Sequence, residues 1–147
     1  MGRPVVVFLA SQFPADVYDG EHLLMYMIWK LNDIVQSPYI FTWVCTQATA
    51  NNHPSIQFIR DFYRLISIKY DNQLVNMFVI HPNLVFKAAF GAGYAFMSGH
   101  LWNSTVYIES LHELGRYLEV EKVDLPGFVA SYDGVRSQMG LLQQLFE

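Results

Sequence analysis

The sequence predicts an α/β domain built on a mainly parallel β-sheet flanked by helices. Segments rich in β-branched and aromatic residues alternate along the chain with segments whose apolar residues recur every three or four positions. This alternation is typical of βαβ units, in which each strand is followed by a helix that returns the chain to the same sheet. The length of 147 residues suits one domain, and the 52% apolar content excludes a disordered chain.

The first strand is predicted at residues 5–10, an uninterrupted apolar run of the kind found in strands covered on both faces. Helical spacing follows over residues 21–36, and Asp19 is positioned to cap that helix because its carboxylate can accept hydrogen bonds from the first turn. A serine-proline pair ends the helix. Residues 39–46 then form a second predicted buried strand.

A second amphipathic helix is predicted over residues 55–70, and a third strand over residues 74–80. His81-Pro82 ends this strand because proline has no N–H to donate to a neighbouring strand. Asn83 is the expected cap of a very apolar helix that extends to about Met97. Gly91 and Gly93 should weaken its second half, since glycine costs about 1 kcal/mol relative to alanine inside a helix.

The remaining elements are a short strand at residues 105–108 and a helix near residues 110–117. We assign residues 1–134 to the domain. Residues 135–147 are interpreted as a C-terminal helix fragment or a linker.

The charge balance argues against a nucleic-acid partner. Nine Lys and Arg residues against thirteen Asp and Glu residues give a net charge of −4, which disfavours binding to polyanions. No stretch approaches the roughly 20 apolar residues of a membrane-spanning helix. A single cysteine, Cys45, precludes an internal disulfide and fits a reducing, cytoplasmic setting.

Motifs that would support catalysis or metal binding are incomplete. The five histidines are scattered at positions 22, 53, 81, 100 and 112, so neither a metal site nor a cofactor is expected. Cys45 lies among apolar residues, as a small buried side chain would. His81 stands at the carboxyl end of a strand, where α/β sheets place ligands, but no acid partner is near it in sequence. A structural role is favoured for His81. A hydrolase that uses His81 or Cys45 is a third functional hypothesis, after the two that are given below.

Several short motifs stand out along the chain, the most specific being the strand of residues 77–80 followed by His81, Pro82 and Asn83. The others are RPVVVF at 3–8, DFY at 61–63, KY at 69–70, VDLP at 123–126 and YD at 132–133. Together these motifs resemble the CRAL-TRIO lipid-binding fold, and within it the BCH-type domain found in Rho GTPase-activating proteins. The chain departs from the lipid-transfer members after the Leu-Pro pair, where it continues Gly127-Phe128-Val129 instead of a paired glycine.

The resemblance implies a non-catalytic interaction module that binds Rho-type small GTPases, self-associates, and regulates GTPase-activating activity elsewhere in a parent protein. The alternative is a lipid-binding or lipid-transfer domain with an apolar pocket. In both cases we expect a cytoplasmic protein, with a peripheral position at membranes as a further expectation.

Three groups of site residues are predicted. Arg60 and Arg64, one helical turn apart, are candidates for binding an acidic partner surface, with an ordinary solvated face as the alternative. A pocket for a lipid tail or prenyl group is predicted along the third helix, with core packing as the alternative, at Phe86, Phe90, Tyr94, Phe96 and Met97. A hinge for an exchanged homodimer, or a flexible loop in a closed monomer, is predicted at Gly91, Gly93, Gly99 and Trp102.

Overall fold

A single parallel sheet of four strands forms the centre of the molecule, in the order β1-β2-β3-β4. The computed structural model describes residues 2–13, 19–52 and 55–146. In one row across the sheet, Phe41 lies opposite Val6 on one side and Met77 on the other. The α/β fold is therefore confirmed. The strands are β1 Val5–Leu9, β2 Tyr39–Val44, β3 Leu74–Ile80 and β4 Thr105–Ile108.

Side-chain caps begin the three long helices that connect the strands. Asp19, Ser55 and Asn83 each accept a hydrogen bond from a backbone N–H in the first turn that follows. The predicted caps at Asp19 and Asn83 are therefore confirmed. The helices are α1 Gly20–Leu31, α2 Ile56–Leu65, α3 Leu84–Gly93, α4 Gly99–Ser104, α5 Leu111–Leu114 and α6 Gly127–Phe146.

The strand order explains where these helices lie. Right-handed crossovers between strands that follow one another in the same direction place every connecting helix on the same face of the sheet. This face, called the helical face below, buries one side of the strands against α1, α2, α3 and α4. Its core is aromatic and includes Phe41, Trp43, Phe62 and Phe90.

The opposite face, called the C-terminal face, is covered by the chain that follows β4. Ile40, Val44, Phe78 and Ile80 of the strands pack there against Leu114 of α5, Val129 of α6 and half-buried residues of the segment between those helices. Because no crossover lies on this face, its cover depends on how the C-terminal part of the chain is attached.

The structure differs from the predicted elements at several places, the first helix for example ending at Leu31 and not at residue 36. β1 is half-buried along its whole length rather than covered on both faces, because it is an edge strand. The helix predicted to Tyr70 becomes π-helical at Ile66, and the helix predicted to Met97 ends at Gly93, where its weakened half begins. The short helix α4 was not predicted. Parts of the predicted loops, residues 14–18 and 53–54, lie outside the described residues.

Helix α6 begins at Gly127, within the segment assigned to the domain, and continues without a break across the proposed domain boundary at residue 134. Its second half leaves large apolar side chains exposed, including Met139, Leu145 and Phe146. The division of the chain at residue 134 stays a prediction. None of the helices in the described part of the chain is both long and apolar enough to cross a bilayer.

Candidate functional site

A half-open cavity of about 500 Å³ lies on the helical face, beside the edge strand β4. Its size falls within the range of about 300–1,000 Å³ that is typical of small-molecule sites. Residues of α2, α3, α4 and β4 contribute to its walls, so it sits where the third crossover returns to the sheet. The principal side chains that line it are Tyr63, Phe90, Met97, Trp102, Thr105 and Tyr107.

The inner wall of this cavity is fixed by aromatic packing. The Phe90 ring makes an edge-on contact with Trp43, with ring centroids 5.3 Å apart. The Tyr63 hydroxyl donates a hydrogen bond to the Phe90 carbonyl over 3.3 Å, and burial raises the pKa of Tyr63 well above its usual range. A neutral phenol and a packed ring therefore make this wall apolar and rigid.

The outer rim is more exposed. Trp102 projects from α4 with 57% of its surface accessible, and its ring lies 5.3 Å from that of Tyr94. Met97 is half-buried between the two helices. Rotation of these side chains can change the size of the opening, because methionine and exposed aromatic side chains repack at low cost.

The structure brings together only part of the predicted pocket. Phe90 and Met97 line the cavity. Tyr94 is outside the lining, but its ring contacts that of Trp102 at the rim. Phe86 is fully buried in the core, as the core-packing alternative stated. The role of these residues in ligand binding stays a prediction. Phe86 can contribute only by supporting Phe90, since the centroids of the two rings are 6.2 Å apart.

Phe96 instead forms a platform for the two predicted partner-binding arginines. The guanidinium carbons of Arg60 and Arg64 lie 5.8 Å and 5.0 Å from its ring centroid. Arg60 also contacts Asp61 at 3.4 Å, whereas Arg64 is exposed. The two charges thus lie on one surface, as their spacing predicted. Their role in binding an acidic partner surface stays a prediction.

The glycines predicted as a hinge have different environments. A methyl group added at Gly93 would lie 2.6 Å from Ile59 and from Tyr63, so this glycine allows α3 to approach α2 closely. Gly91 and Gly99 have open space where a side chain would stand. Gly93 therefore has a packing role, and the hinge stays a prediction that rests on Gly91, Gly99 and Trp102.

A second arrangement of polar side chains, called the clasp below, lies at the carboxyl end of the strands. His81 Nε2 is 2.8 Å from Asp133 Oδ1 in α6, and His81 Nδ1 is 2.7 Å from Thr46 Oγ1. The same Asp133 oxygen accepts a hydrogen bond from the backbone N–H of Leu111. An ionised carboxylate only accepts, so Nε2 is the donor to Asp133; the threonine hydroxyl can donate to Nδ1 when that nitrogen carries no proton.

The backbone of His81 has a conformation that is uncommon for a residue other than glycine. Its φ of 51° is in the left-handed region, and its N–H donates to the carbonyl of Ile108 over 2.8 Å. The residue therefore turns the chain out of the sheet while its ring reaches both neighbours. No residue near His81 in sequence indicated Asp133, which is 52 positions away; the YD pair of the family motifs was the available signal.

The order threonine, histidine, aspartate resembles a nucleophile-base-acid triad, but its burial differs from that of a catalytic site. Thr46 is 0% exposed and His81 is 3% exposed, so a substrate could not reach the hydroxyl without displacing the core. Burial also raises the pKa of Cys45 to about 12, which keeps its thiol protonated at neutral pH. The clasp attaches α6 and the start of α5 to the sheet. Within the described residues, no three His, Cys, Asp or Glu side chains are grouped for a metal ion.

Comparison with known proteins identifies the family that the chain resembles. A family model described as "Divergent CRAL/TRIO domain" matches residues 2–134. The chain is 29% identical over 129 residues to the Rho GTPase-activating protein gacY of Dictyostelium discoideum. These residues are 88% of this chain and 18% of that protein. It is 28% identical over 133 residues to a GDAP2 homolog of Drosophila melanogaster, covering 90% of this chain and 25% of the relative.

A third relative is the ganglioside-induced differentiation-associated protein 2 of Xenopus tropicalis, 27% identical over 132 residues, which are 90% of this chain and 27% of the relative. The chain therefore spans about a fifth to a quarter of the length of the curated relatives it matches. The resemblance noted in the sequence is confirmed at the level of the family.

Proposed function

The chain belongs to the divergent CRAL/TRIO domain family, and on that premise we propose that it is a non-catalytic module that binds prenylated Rho-type small GTPases. The observation that carries the proposal is the apolar cavity between α3, α4 and β4, which has room for an isoprenoid chain. The likeness to a Rho GTPase-activating protein supplies the partner class. In a longer parent protein, such binding regulates a GTPase-activating region elsewhere.

The cavity is suited to an isoprenoid because its fixed part consists of rings and alkyl groups. A prenyl chain makes few directional contacts, and each buried CH₂ contributes about 0.8 kcal/mol. Phe90 and Tyr63 provide the apolar wall, while exposed Trp102 can close over the chain. Arg60 and Arg64 lie outside the cavity lining, where they can contact an acidic surface of the GTPase.

Self-association is a second part of the proposal. Among the described strands β4 pairs with β3 alone, so its outer edge offers unpaired backbone groups to a second copy. Opening near Gly91 and Gly99 would produce an exchanged dimer. Light scattering should then give a mass near twice 17.0 kDa, with a dissociation that depends on concentration. A mass of one chain at every concentration tested would contradict this part.

The binding proposal is tested with two matched tryptophan variants. Trp102→Glu puts a charge into the rim of the cavity, whereas Trp29→Glu changes a more exposed tryptophan on α1. In detergent-free solution, Trp102→Glu should weaken binding of the prenylated GTPase at least about tenfold, or about 1.4 kcal/mol. Trp29→Glu should leave it unchanged.

The unprenylated GTPase is the second control. It should bind both variants and the unaltered chain with the same, weaker affinity, because it lacks the group that fills the cavity. Equal losses for the two forms of the GTPase would contradict a prenyl site, and no binding of either form to the unaltered chain would remove the partner class.

The alternative, a lipid-binding or lipid-transfer domain, is favoured by the same cavity. It predicts that a lipid remains with the purified protein and is detected by native mass spectrometry, and that Trp102→Glu loses it. Movement of this lipid between vesicles without any GTPase binding would decide for the alternative.

A further inference from the structure

The outer surface of α1 carries large apolar side chains that the core does not use. Trp29 is 70% exposed, Met25 65% and Tyr26 53%. Leu23, Met27 and Leu31 on the opposite side of the helix already provide its contact with the core. The apolar residues of α1 thus extend almost all around the helix, which a helix packed only against its own domain does not require.

An open apolar groove lies next to these residues. Leu24 and Ile28 of α1 face Leu65 and Ile68 of α2 and its π-helical continuation across a groove of about 310 Å³. Ile68 is 85% exposed. At about 100° per residue, Met25 and Trp29 follow Leu24 and Ile28 around α1, so the groove and the exposed side chains form one surface, called the α1 patch below.

Cationic side chains lie on two sides of the α1 patch. Lys30 Nζ lies 5.1 Å from the Trp29 ring centroid and 5.9 Å from that of Tyr26. Arg64 and Lys69 line the groove from the other side. The carboxylate in the groove lining, Asp61, is already hydrogen-bonded to Gln57 and contacts Arg60. Two exposed carboxylates bound the patch along α1: Glu21, four residues before Met25, and Asp33, just beyond the end of the helix.

We propose that the α1 patch binds the surface of a lipid bilayer that contains anionic lipids. Tryptophan, tyrosine and lysine together are the residues that occupy membrane interfaces, where the rings lie at headgroup depth and the amine reaches the phosphates. Lys30, Arg64 and Lys69 complement the negative charge of the lipid phosphates, although the whole chain is acidic.

The shape of the patch favours a bilayer over a protein partner. Met25, Trp29 and Ile68 are largely exposed, and the groove between α1 and α2 is open to solvent. Protruding apolar side chains can enter a fluid acyl boundary, whereas a partner helix needs a concave groove that receives its own side chains. This inference goes beyond the proposed GTPase site, which is centred on the cavity beside β4 and shares only Arg64 with the α1 patch.

Fluorescence provides the direct test because the three tryptophans have different environments. Trp43 is fully buried, while Trp29 and Trp102 mark the α1 patch and the cavity rim. Vesicles of phosphatidylcholine and phosphatidylserine with brominated acyl chains should quench the Trp102→Phe variant, which keeps Trp29. They should not quench the Trp29→Phe variant beyond the level of a lipid-free control. Quenching that follows Trp102 instead would overturn the assignment.

Co-sedimentation with the same vesicles tests the energetics. Trp29→Glu should reduce the bound fraction at least about fivefold, since a charge at the interface is costly. Lys30→Glu with Lys69→Glu should remove the dependence on phosphatidylserine and on salt. The charge reversal Arg116→Glu with Lys122→Glu, on the C-terminal side of the molecule, is the matched control and should change little.

Three outcomes would overturn the proposal. One is that the unaltered chain does not sediment with phosphatidylserine vesicles; another is that it sediments equally well after Trp29→Glu. The third is a lipid-free dimer that Trp29→Glu dissociates, which would assign the patch to a second copy of the chain. Because Trp29→Glu should leave GTPase binding intact, failure of this proposal and failure of the proposed function are distinguishable.

Discussion

The helical face of the sheet buries aromatic rings that contact one another. The ring centroid of Trp43 lies 5.2 Å from that of Phe62 and 5.3 Å from that of Phe90. The C-terminal face buries mainly aliphatic side chains under one turn of α5, an irregular segment and the first turns of α6. A cavity of about 700 Å³ also lies on this thinner side, between the start of β1 and residues 115–123.

The difference follows from the order of the strands. A sheet built in the sequence 1-2-3-4 puts all crossovers on the helical face, so the other face receives its cover only after the last strand. Among the described residues no strand follows this cover in the chain, so no later strand pairing fixes it against the sheet. The clasp of Thr46, His81 and Asp133 provides that attachment with polar contacts, where the helical face relies on apolar packing.

Adjacent residues of β2 provide the strongest test of this comparison. Trp43 and Val44 are both fully buried but face opposite sides. Trp43→Ala should lower the free energy of unfolding by about 3–5 kcal/mol, and Val44→Ala by about 2 kcal/mol, because the cavity left by the ring is larger. Urea denaturation measures both, with Trp43→Phe as a milder substitution. Equal losses would contradict the unequal contribution of the two faces.

Close packing on the helical face is tested by two glycines of α3. Gly93→Ala should cost about 1–3 kcal/mol, because the new methyl group would meet Ile59 and Tyr63 at 2.6 Å. Gly91→Ala has open space and should stabilise the helix by up to about 1 kcal/mol. Thermal unfolding followed by circular dichroism compares them. A gain in both variants would mean that α2 and α3 can separate at low cost, as a hinge would require.

The polar attachment of the C-terminal face is tested at Asp133. Asp133→Asn keeps the shape of the side chain but replaces charge-assisted hydrogen bonds to His81 and Leu111 by neutral ones, at a cost of about 1–2 kcal/mol. Amide hydrogen exchange should become faster in α5 and α6 and stay unchanged in α1 and α2. Exposed Asp124→Asn is the control. Uniformly faster exchange would show that the clasp stabilises the whole domain instead.

Local signals in the sequence were sufficient for the strands and for most helices. Runs rich in apolar, aromatic and β-branched residues located β2 and β3, and Asp19 and Asn83 marked two helix starts because a cap acts within a few residues of itself. Helix α4 was not predicted because Gly99 and Asn103 give it low helical propensity. It forms next to the sheet through the fully buried Leu101 and a Ser98 cap.

The candidate site depended on contacts between distant parts of the chain, which periodicity does not report. Helical spacing predicted a shared face for Phe86, Phe90 and Tyr94, but it did not indicate which of them the core would cover. The Asp133 partner of His81 became visible only once α6 lay against the carboxyl end of β3. The exposed Trp29 was likewise indistinguishable from a core residue in an apolar helix.

The last and smallest expected effect concerns Glu109, which joins the two sides of the molecule. Its carboxylate lies 2.9 Å from Lys87 Nζ in α3 and 2.7 Å from Arg136 Nη2 in α6. The hydrogen bond from Lys87, followed by that from Arg136, lowers the pKa of Glu109 below its ordinary value of 4.5. The folded state therefore binds this proton less readily than the unfolded state, and the contribution to stability is present above pH 4.5.

Glu109→Gln should accordingly reduce stability at neutral pH by less than about 1 kcal/mol, because the carboxylate is partly exposed and screened by solvent. The difference from the unaltered chain should shrink as the pH falls below 4.5, since both chains then carry a neutral group at this position. Chemical denaturation across this pH range measures it, with Glu119→Gln, in an exposed pair with Lys122, as the control. A difference that persists at low pH would mean that Glu109 joins α3 and α6 through its shape and not through its charge.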